Sequence, residues 1–208
     1  MTLLLIRHGE TALNAARTLQ PADTPLSVRG LTQARALAQR LAGMGITGIV
    51  SSDLPRALQT AQAIAAATGL PITTSALLQE RNFGAWRGLP YDSFDTDPLT
   101  CADAPPGGES QPAVAQRVAR AFEAVVRMRA ALGDARGGTL AVVTHGLVLR
   151  EMLAMHAALP AGTMLPDHLG NTCVTVIDAT APHAVTLLGC TRHLDTVAPD
   201  DAHALSGG

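Results

Sequence analysis

Residues 3–6 form a run of four apolar side chains that ends abruptly in Arg7, His8 and Gly9. A continuous apolar run of this kind is typical of a strand buried on both faces of a mainly parallel sheet. The residues that follow such a strand lie at the carboxyl edge of the sheet, where open α/β sheets bind their ligands. We therefore predict a functional site at His8, with the charge of Arg7 beside it and Gly9 permitting a sharp backbone turn.

Strands and helices alternate along the rest of the chain. Further apolar runs predict strands at 46–50, 71–75, 139–144, 173–177 and 184–188. Apolar residues at helical spacing, introduced by serine or proline, predict helices at 28–42, 55–68 and 110–132, and another helix begins at 147. The alternation is typical of an α/β fold, which we predict to be a three-layer α/β/α sandwich around a mainly parallel central sheet with one antiparallel edge strand.

The chain is expected to form one domain over residues 1–198, followed by a flexible tail at 199–208. Residues 84–112 are the one irregular region and are rich in proline and glycine. A long loop inside a compact domain is usually a lid or a binding loop, so we predict one of these roles for this segment.

The composition argues against several classes of function. Aromatic residues make up only 2% of the chain and its net charge is -2, so we expect no binding of nucleic acid. No segment approaches the roughly 20 apolar residues of a membrane helix. The three cysteines include no CxxC pair, and neither a dinucleotide-binding nor a Walker glycine pattern follows a strand. We therefore expect a cytoplasmic protein with no membrane partner, no metal and no cofactor, and leave open whether it forms a homodimer.

Polar side chains that are far apart in the sequence follow four of the predicted strands. Arg7 and His8 follow the first strand, and Arg56 lies in the first turn of the helix after the second. Glu80 lies just beyond the third strand, and His145 directly follows the fourth. Because the carboxyl ends of parallel strands share one edge of a sheet, we predict that these side chains meet there.

This set of residue types suits the binding of a small phosphorylated substrate. A transferring phosphoryl group spreads negative charge over its oxygens, and the guanidinium forks of Arg7 and Arg56 match phosphate geometry. His145 adds another donor, and Asn14 is expected to add a further hydrogen bond. The helix that opens at Gly146 would direct free backbone N–H groups at the same anion.

His8 is the candidate nucleophile, which requires a neutral ring nitrogen. The neighbouring Arg7 and Arg56 lower its pKa by like-charge repulsion, and a backbone carbonyl bound to the other nitrogen would fix the tautomer. Glu80 would protonate the leaving alkoxide and then, as a carboxylate, activate water against the phosphohistidine. Glu109 is the alternative residue for this role. The chemistry requires no metal.

Several motifs stand in order along the chain: Arg7-His8-Gly9-Glu10-Thr11 with Asn14, Ser51-Ser52-Asp53 before Arg56, Glu80 with Phe83-Gly84-Ala85-Trp86-Arg87-Gly88, Pro106-Gly107-Gly108-Glu109-Ser110, and Thr144-His145-Gly146. Together they resemble the histidine phosphatase superfamily, also called phosphoglycerate mutase-like, over nearly the whole chain. The resemblance implies that His8 is the phosphorylated nucleophile and Glu80 the proton donor. It also implies a phosphate pocket of Arg7, Arg56 and His145, with Asn14 as an accessory contact.

Within that family, the segment 89–106 favours a phosphatase. The mutases usually have a longer insertion with extra basic residues, whereas this segment is short and acidic and has no Lys or Arg. It resembles the small broad-specificity phosphatases and those that act on cobalamin precursors. We therefore expect a metal-independent phosphomonoester hydrolase. Two alternatives stay open, a 2,3-bisphosphoglycerate-dependent phosphoglycerate mutase-type phosphotransferase and a non-catalytic phospho-ligand-binding protein. Arg87 stands where a family phosphatase often has Glu.

Overall fold

The computed structural model describes residues 1–133 and 138–195, so the predicted tail at 199–208 lies outside the described residues. The strands are β1 Thr2–Arg7, β2 Ile46–Ser51, β3 Ile72–Thr74, β4 Thr139–Thr144, β5 Val174–Asp178 and β6 Val185–Cys190. The α-helices are α1 Ala12–Ala15, α2 Val28–Leu41, α3 Pro55–Thr68, α4 Gln111–Ala131 and α5 Gly146–His156. Short 3₁₀ helices cover Ala76–Leu78, Gly84–Trp86, Tyr91–Ser93 and Arg192–Leu194.

The six strands form one mixed sheet in the order β3-β2-β4-β1-β5-β6. The first four in this order pair in parallel, whereas β5 pairs antiparallel with both β1 and β6. The antiparallel β5–β6 pair therefore forms one edge of a sheet that is otherwise parallel. The predicted fold class is confirmed.

Helices cover both faces of this sheet. Alternate residues of β1 point to opposite faces, so that Leu3 and Leu5 pack with α4 and α5, and Leu4 and Ile6 pack with α2 and α3. All four side chains are fully buried. A strand buried on both faces needs apolar residues at every position, which explains the uninterrupted run near the N-terminus.

Most element boundaries follow from local capping. Ser27 accepts a hydrogen bond from the backbone N–H of Gly30 at the start of α2, and Ser110 does the same for Ala113 at the start of α4. Proline opens α3, and Gly69 ends it with a left-handed φ of 73°. The structure therefore places α3 at the predicted residues 55–68.

The loop after β1 differs from the prediction in two ways. It contains the short helix α1, which Thr11 and Asn14 cap reciprocally through side chain and backbone. The φ angle of Gly9 is not positive, so the sharp backbone turn that we predicted does not explain why this position is a glycine. A Cβ at Gly9 would lie 2.7 Å from the carbonyl oxygen of Gly30, and one at Gly30 would lie 2.0 Å from that of Glu10. Two backbones touch here, and only glycine allows it.

The insert 84–112 is irregular, as predicted, and contains two short 3₁₀ helices. A small apolar cluster connects it to neighbouring chain: Tyr91 and Trp86 of the insert pack with Leu19 and Phe83. The guanidinium of Arg81, on the preceding segment, donates hydrogen bonds to three backbone carbonyls between positions 101 and 109. The insert is therefore attached to the chain segment that carries Glu80.

Candidate active site

The register of β1 and β4 brings two histidines together. These strands are parallel neighbours, and Arg7 is paired with Thr144. The next residues, His8 and His145, therefore leave the sheet side by side, at a strand spacing of about 4.8 Å. Their ring centroids lie 5.1 Å apart, with the ring planes inclined at 60°. Both side chains are completely buried.

The imidazole of His8 is held in one tautomer. Its Nδ1 donates a hydrogen bond to the carbonyl oxygen of Gly9 at 2.6 Å, which leaves the lone pair on Nε2. Among the described residues, Nε2 has no hydrogen-bond partner although it is buried. Burial and the charges of Arg56 and Arg7 hold the pKa of His8 well below its usual value. The ring is therefore neutral and its free nitrogen is available.

The imidazole of His145, like that of His8, has one ring nitrogen bound to a neighbouring group, but the partner is a side chain. Its Nε2 lies 2.9 Å from the hydroxyl oxygen of Ser52, at the end of β2. In the described part of the chain its buried Nδ1 has no partner. Burial, followed by the charge of Arg56, holds the pKa of His145 well below its usual value. Two neighbouring imidazoles thus each present one unsatisfied nitrogen, and buried polar atoms without partners indicate a missing ligand.

Two buried guanidiniums supply positive charge beside these rings. Arg7 is the last residue of β1 and is 1% exposed, and its Nη1 donates to the carbonyl of Leu169 at 2.5 Å. Arg56, in the first turn of α3, is 2% exposed and donates to the carbonyl of Pro21 at 3.4 Å. The pKa of Arg56 is lowered to about 10. Burial is the main cause, the negative charge of Glu80 opposes it, and the positive charges of Arg7 and Arg87 add to the lowering. Burying guanidinium charge is costly, and a bound anion would offset part of that cost.

Glu80 is fixed by two backbone N–H groups. Its Oε1 accepts from Arg81 at 2.9 Å, and its Oε2 accepts from Leu147 at 3.1 Å. The side chain is 6% exposed. The expectation that the first N–H groups of α5 all face the anion is therefore wrong for Leu147. That N–H orients a carboxylate, since helix N-termini stabilise negative charge.

Glu109 is arranged for a different task. Both of its oxygens accept hydrogen bonds from Arg117, each at 2.8 Å, and one also accepts from the backbone of Asn82. Hydrogen bonds from these partners hold the pKa of Glu109 below its usual range, although burial opposes the shift. A carboxylate kept ionised by a bidentate arginine is a poor proton donor. Glu80 is the better placed of the two candidates, because it lies close enough to Arg56 to act on that guanidinium electrostatically, whereas both oxygens of Glu109 are bound to Arg117.

The remaining predicted contacts are close to the same edge of the sheet. Asn14 is fully buried, and its Oδ1 accepts from the backbone of Thr11 at 3.2 Å and from Asn171 at 3.4 Å. Gly146 begins α5 directly after His145 and lines a cavity beside the rings. Arg87 is half-buried and acts electrostatically on Arg56.

Sequence reasoning missed two groups that orient these side chains. Ser52 was noted only as part of a motif, although the parallel pairing of β2 with β4 places it beside His145. The predicted helix 110–132 includes Arg117, whose side chain is mostly buried against the segment before Glu80. A charged residue beside the buried stripe of α4 was the available signal for it.

A cavity of about 730 Å³ is lined by Arg7 and Gly146, which are the sequence neighbours of His8 and His145. The rest of its wall comes from the insert, α4, α5 and the loop before β5. Much of its wall is aliphatic, including Leu99, Leu147 and Leu165. A pocket of this kind, mostly apolar and joined to a charged end, is typical of a small-molecule site.

Within residues 1–133 and 138–195, no three His, Cys, Asp or Glu side chains are grouped so that they could hold a metal ion. The helices in the same residues are all too short or too polar to cross a membrane.

Comparisons with known proteins agree with this geometry. The family model of the histidine phosphatase superfamily (branch 1) matches residues 3–189. A protein of Yersinia pestis named "Probable phosphoglycerate mutase GpmB" is 33% identical over 217 residues, covering 97% of this chain and 98% of that protein. YhfR of Bacillus stearothermophilus has a TM-score of 0.75 at 30% identity, with 98% of each chain covered. Mycobacterial glucosyl-3-phosphoglycerate phosphatase has a TM-score of 0.72 at 33% identity, covering 85% of this chain and 89% of that one.

Two imidazoles and two guanidiniums at the carboxyl edge of a parallel sheet are typical of an enzyme that transfers or hydrolyses phosphoryl groups. The chain belongs to the histidine phosphatase superfamily (branch 1). The predicted family, and the prediction that the chain is an enzyme of phosphatase type, are thereby confirmed.

Proposed function

We propose that this protein hydrolyses phosphomonoesters of small metabolites through a phosphohistidine intermediate at His8. The observation that carries the proposal is the unpartnered Nε2 of His8, buried beside the equally unpartnered Nδ1 of His145 and close to two guanidiniums. A phosphoryl group fits this combination because it offers phosphorus to the first nitrogen and anionic oxygens to the other groups.

The first chemical step transfers the phosphoryl group to the enzyme. The Nε2 lone pair of His8 forms a bond to phosphorus while the bond from phosphorus to the ester oxygen breaks. The electron pair of that bond goes to the ester oxygen, which takes a proton from Glu80 and leaves as an alcohol. Arg7, Arg56 and His145 stabilise the charge on the other oxygens, and the Nδ1–H of His8 continues to donate to Gly9. This step requires no metal.

The second step returns the enzyme to its starting state. The carboxylate of Glu80 takes a proton from water, and the water oxygen bonds to phosphorus as the bond to Nε2 breaks. Inorganic phosphate leaves, His8 recovers its lone pair, and Glu80 is again an acid. One carboxylate thus serves as acid and then as base, which agrees with its fixed position between two backbone donors.

The cavity supports hydrolysis of esters with an uncharged alcohol rather than a mutase reaction. A mutase must hold a substrate that carries a second anionic group. Here Arg81 already donates to three carbonyls and Arg150 to that of Pro166. The acidic side chains Asp97, Glu151 and Asp167 line the same cavity. Their charge opposes a second anion, whereas the aliphatic wall accommodates an apolar leaving group.

The location and assembly of the protein are also proposals. The three cysteines are free, which is consistent with the reducing cytoplasm. Formation of a homodimer stays a prediction.

The test of the proposed function compares His8→Ala with the parent on p-nitrophenyl phosphate in the presence of EDTA. We expect activity to survive the chelator and to fall by about 10⁴-fold in the variant. After a brief exposure to ³²P-labelled substrate and an alkaline quench, label should remain on the parent and be absent from His8→Ala. His156→Gln, near the end of α5, is the matched control. Full turnover by His8→Ala would overturn the proposal.

Two other functions are separated by the same assays. A mutase would interconvert phosphoglycerates only after priming with 2,3-bisphosphoglycerate, whereas we expect free phosphate as the product. A protein that only binds phospho-ligands would bind vanadate without turnover. Turnover that depends on His8 excludes the second of these.

A further inference from the structure

Arg117, on α4, holds the backbone of the segment that carries Glu80. Its Nη1 donates to the carbonyl of Leu77 at 3.0 Å and to that of Gln79 at 2.6 Å, and its Nη2 lies 3.5 Å from the carbonyl of Glu80. These carbonyls follow β3, in a segment that contains only a short 3₁₀ helix and is not paired in the sheet. Together with the Thr144 hydroxyl, which donates to the carbonyl of Leu78, the Arg117 side chain therefore restrains the turn that ends in Glu80.

Glu109 in turn fixes Arg117. The guanidinium forms a two-point pair with both carboxylate oxygens, and the side chains are only 16% and 24% exposed. Glu109 also exchanges backbone and side-chain contacts with Asn82, two residues after Glu80. The Arg117–Glu109 pair thus contacts the chain on both sides of Glu80.

The orientation of the Glu80 carboxylate depends on the backbone of residues 77–80, which Arg117 restrains. One of its two donors is the N–H of the next residue, Arg81, which moves with the segment, and the other is Leu147 on α5. A rotation of the peptide at Glu80 would break the first bond and change the direction of the carboxyl group. Proton transfer is sensitive to displacements of this size, because the donor must lie within hydrogen-bonding distance of the leaving oxygen.

We propose that the Arg117–Glu109 pair is a positioning device that aims Glu80 at the oxygen of the leaving group. The inference rests on the proposed function, in which Glu80 is the acid. Neither Arg117 nor Glu109 lines the cavity. The charge of Arg117 contributes in a minor way to the low pKa of His145, and Arg117→Lys keeps that charge. We therefore expect the effect of the pair to be mainly on the departure of the alcohol.

The experiment uses two substrates that differ in their need for an acid. An alkyl phosphate has a poor leaving group that must be protonated, whereas p-nitrophenolate leaves readily without a proton. The value of kcat/KM reports the steps up to alcohol release, so it excludes hydrolysis of the phosphoenzyme. The quantity of interest is the ratio of kcat/KM for the alkyl phosphate to that for p-nitrophenyl phosphate.

Arg117→Lys and Glu109→Gln are the test variants, since each retains most of the side chain and the first also keeps the charge. We expect about a tenfold fall for the alkyl phosphate and less than about a threefold fall for the aryl phosphate. Arg127→Lys and Glu123→Gln are the matched controls, because they alter an exposed pair on the same helix. Inhibition by vanadate and the thermal unfolding temperature report whether the phosphate pocket and the fold are intact.

The background variant Glu80→Gln completes the design. If Arg117→Lys acts through Glu80, it should not change the substrate ratio further once Glu80 is replaced. Equal losses on both substrates, or no loss on either, would overturn the positioning role while leaving the proposed function in place. If Glu80→Gln itself leaves the ratio unchanged, the assignment of the acid fails and this inference fails with it.

Discussion

The phosphate pocket and the neighbouring cavity are built from different parts of the chain. Arg7, His8, Arg56 and His145 are each at most 2% exposed and lie at the ends of strands or in the first turn of a helix. The cavity is lined by residues of the insert, of α4 and α5 and of the loop before β5, and several of its side chains, such as that of His168, are exposed. Under the proposed function, the buried ends of the strands and the start of α3 hold the phosphoryl group, and the more open cavity selects the leaving group.

This difference shows which changes are tolerated in each region. In the pocket the side chains are buried, so a replacement leaves buried polar groups of their partners unsatisfied. In the cavity, several of the lining side chains are exposed and contribute mainly shape. The two regions should therefore respond differently to substitution.

The largest effect is expected for Arg56→Ala, which removes a buried charge from the phosphate pocket. Its loss should lower kcat/KM by about 10²–10³-fold, as when a preorganised donor to a developing anion is removed. Small and bulky esters should be affected equally, because both carry the same phosphoryl group. Steady-state kinetics on an ester series measures this, and Arg35→Ala, an exposed arginine of α2, is the control. A loss confined to bulky esters would contradict the division between the two regions.

A second prediction concerns acid and again involves only the pocket. The pKa values of His8 and His145 are held well below the usual value, so protonation favours the unfolded chain. Stability is therefore fully present above the usual histidine pKa and falls as the pH drops below it. In phosphate-free buffer, each imidazole should contribute a slope of about 1.4 kcal/mol per pH unit in this acid range. Urea unfolding of the parent and of His8→Gln tests this, and parallel pH profiles would refute it.

The smallest effect is expected in the cavity. Ala154, exposed on α5, lines the cavity, whereas the adjacent Met155 is 65% exposed and does not. Ala154→Phe should fill part of the space and lower kcat/KM about tenfold for a bulky aliphatic ester, with little change for a small one. Met155→Phe is the matched control. If Ala154→Phe slows both esters alike, the cavity does not hold the leaving group.

The sequence predicted those parts of the molecule that repeat a simple pattern. The structure places β4 at the predicted 139–144 and begins α2 at Val28 after its serine cap, because apolar runs and caps are local signals. The meeting of His8 with His145 followed from one general property, that parallel strands end at a common edge. None of these predictions needed contacts between distant side chains.

What the sequence left open depends on such contacts. The antiparallel pairing of β5 with β1, the hydrogen bond between Ser52 and His145 and the Arg117–Glu109 pair all join residues that are distant along the chain. Helix α1 is not predictable from the sequence because four residues carry no periodicity, and Asn14, one of its two capping residues, is instead predicted to contact the substrate. The use of the Leu147 N–H by Glu80 likewise needed the path of the segment after β3.

The contact between Gly9 and Gly30 has a consequence for how the enzyme can vary. It fastens the loop after β1 to α2, which does not line the cavity, and Ser27 and Gln33 of the same region bind the backbone of Glu10. His8, the proposed nucleophile, therefore takes its position in part from a helix outside the cavity. Any lineage that changes its substrate by remodelling the insert can leave this attachment untouched, so new specificities can arise without rebuilding the reactive centre.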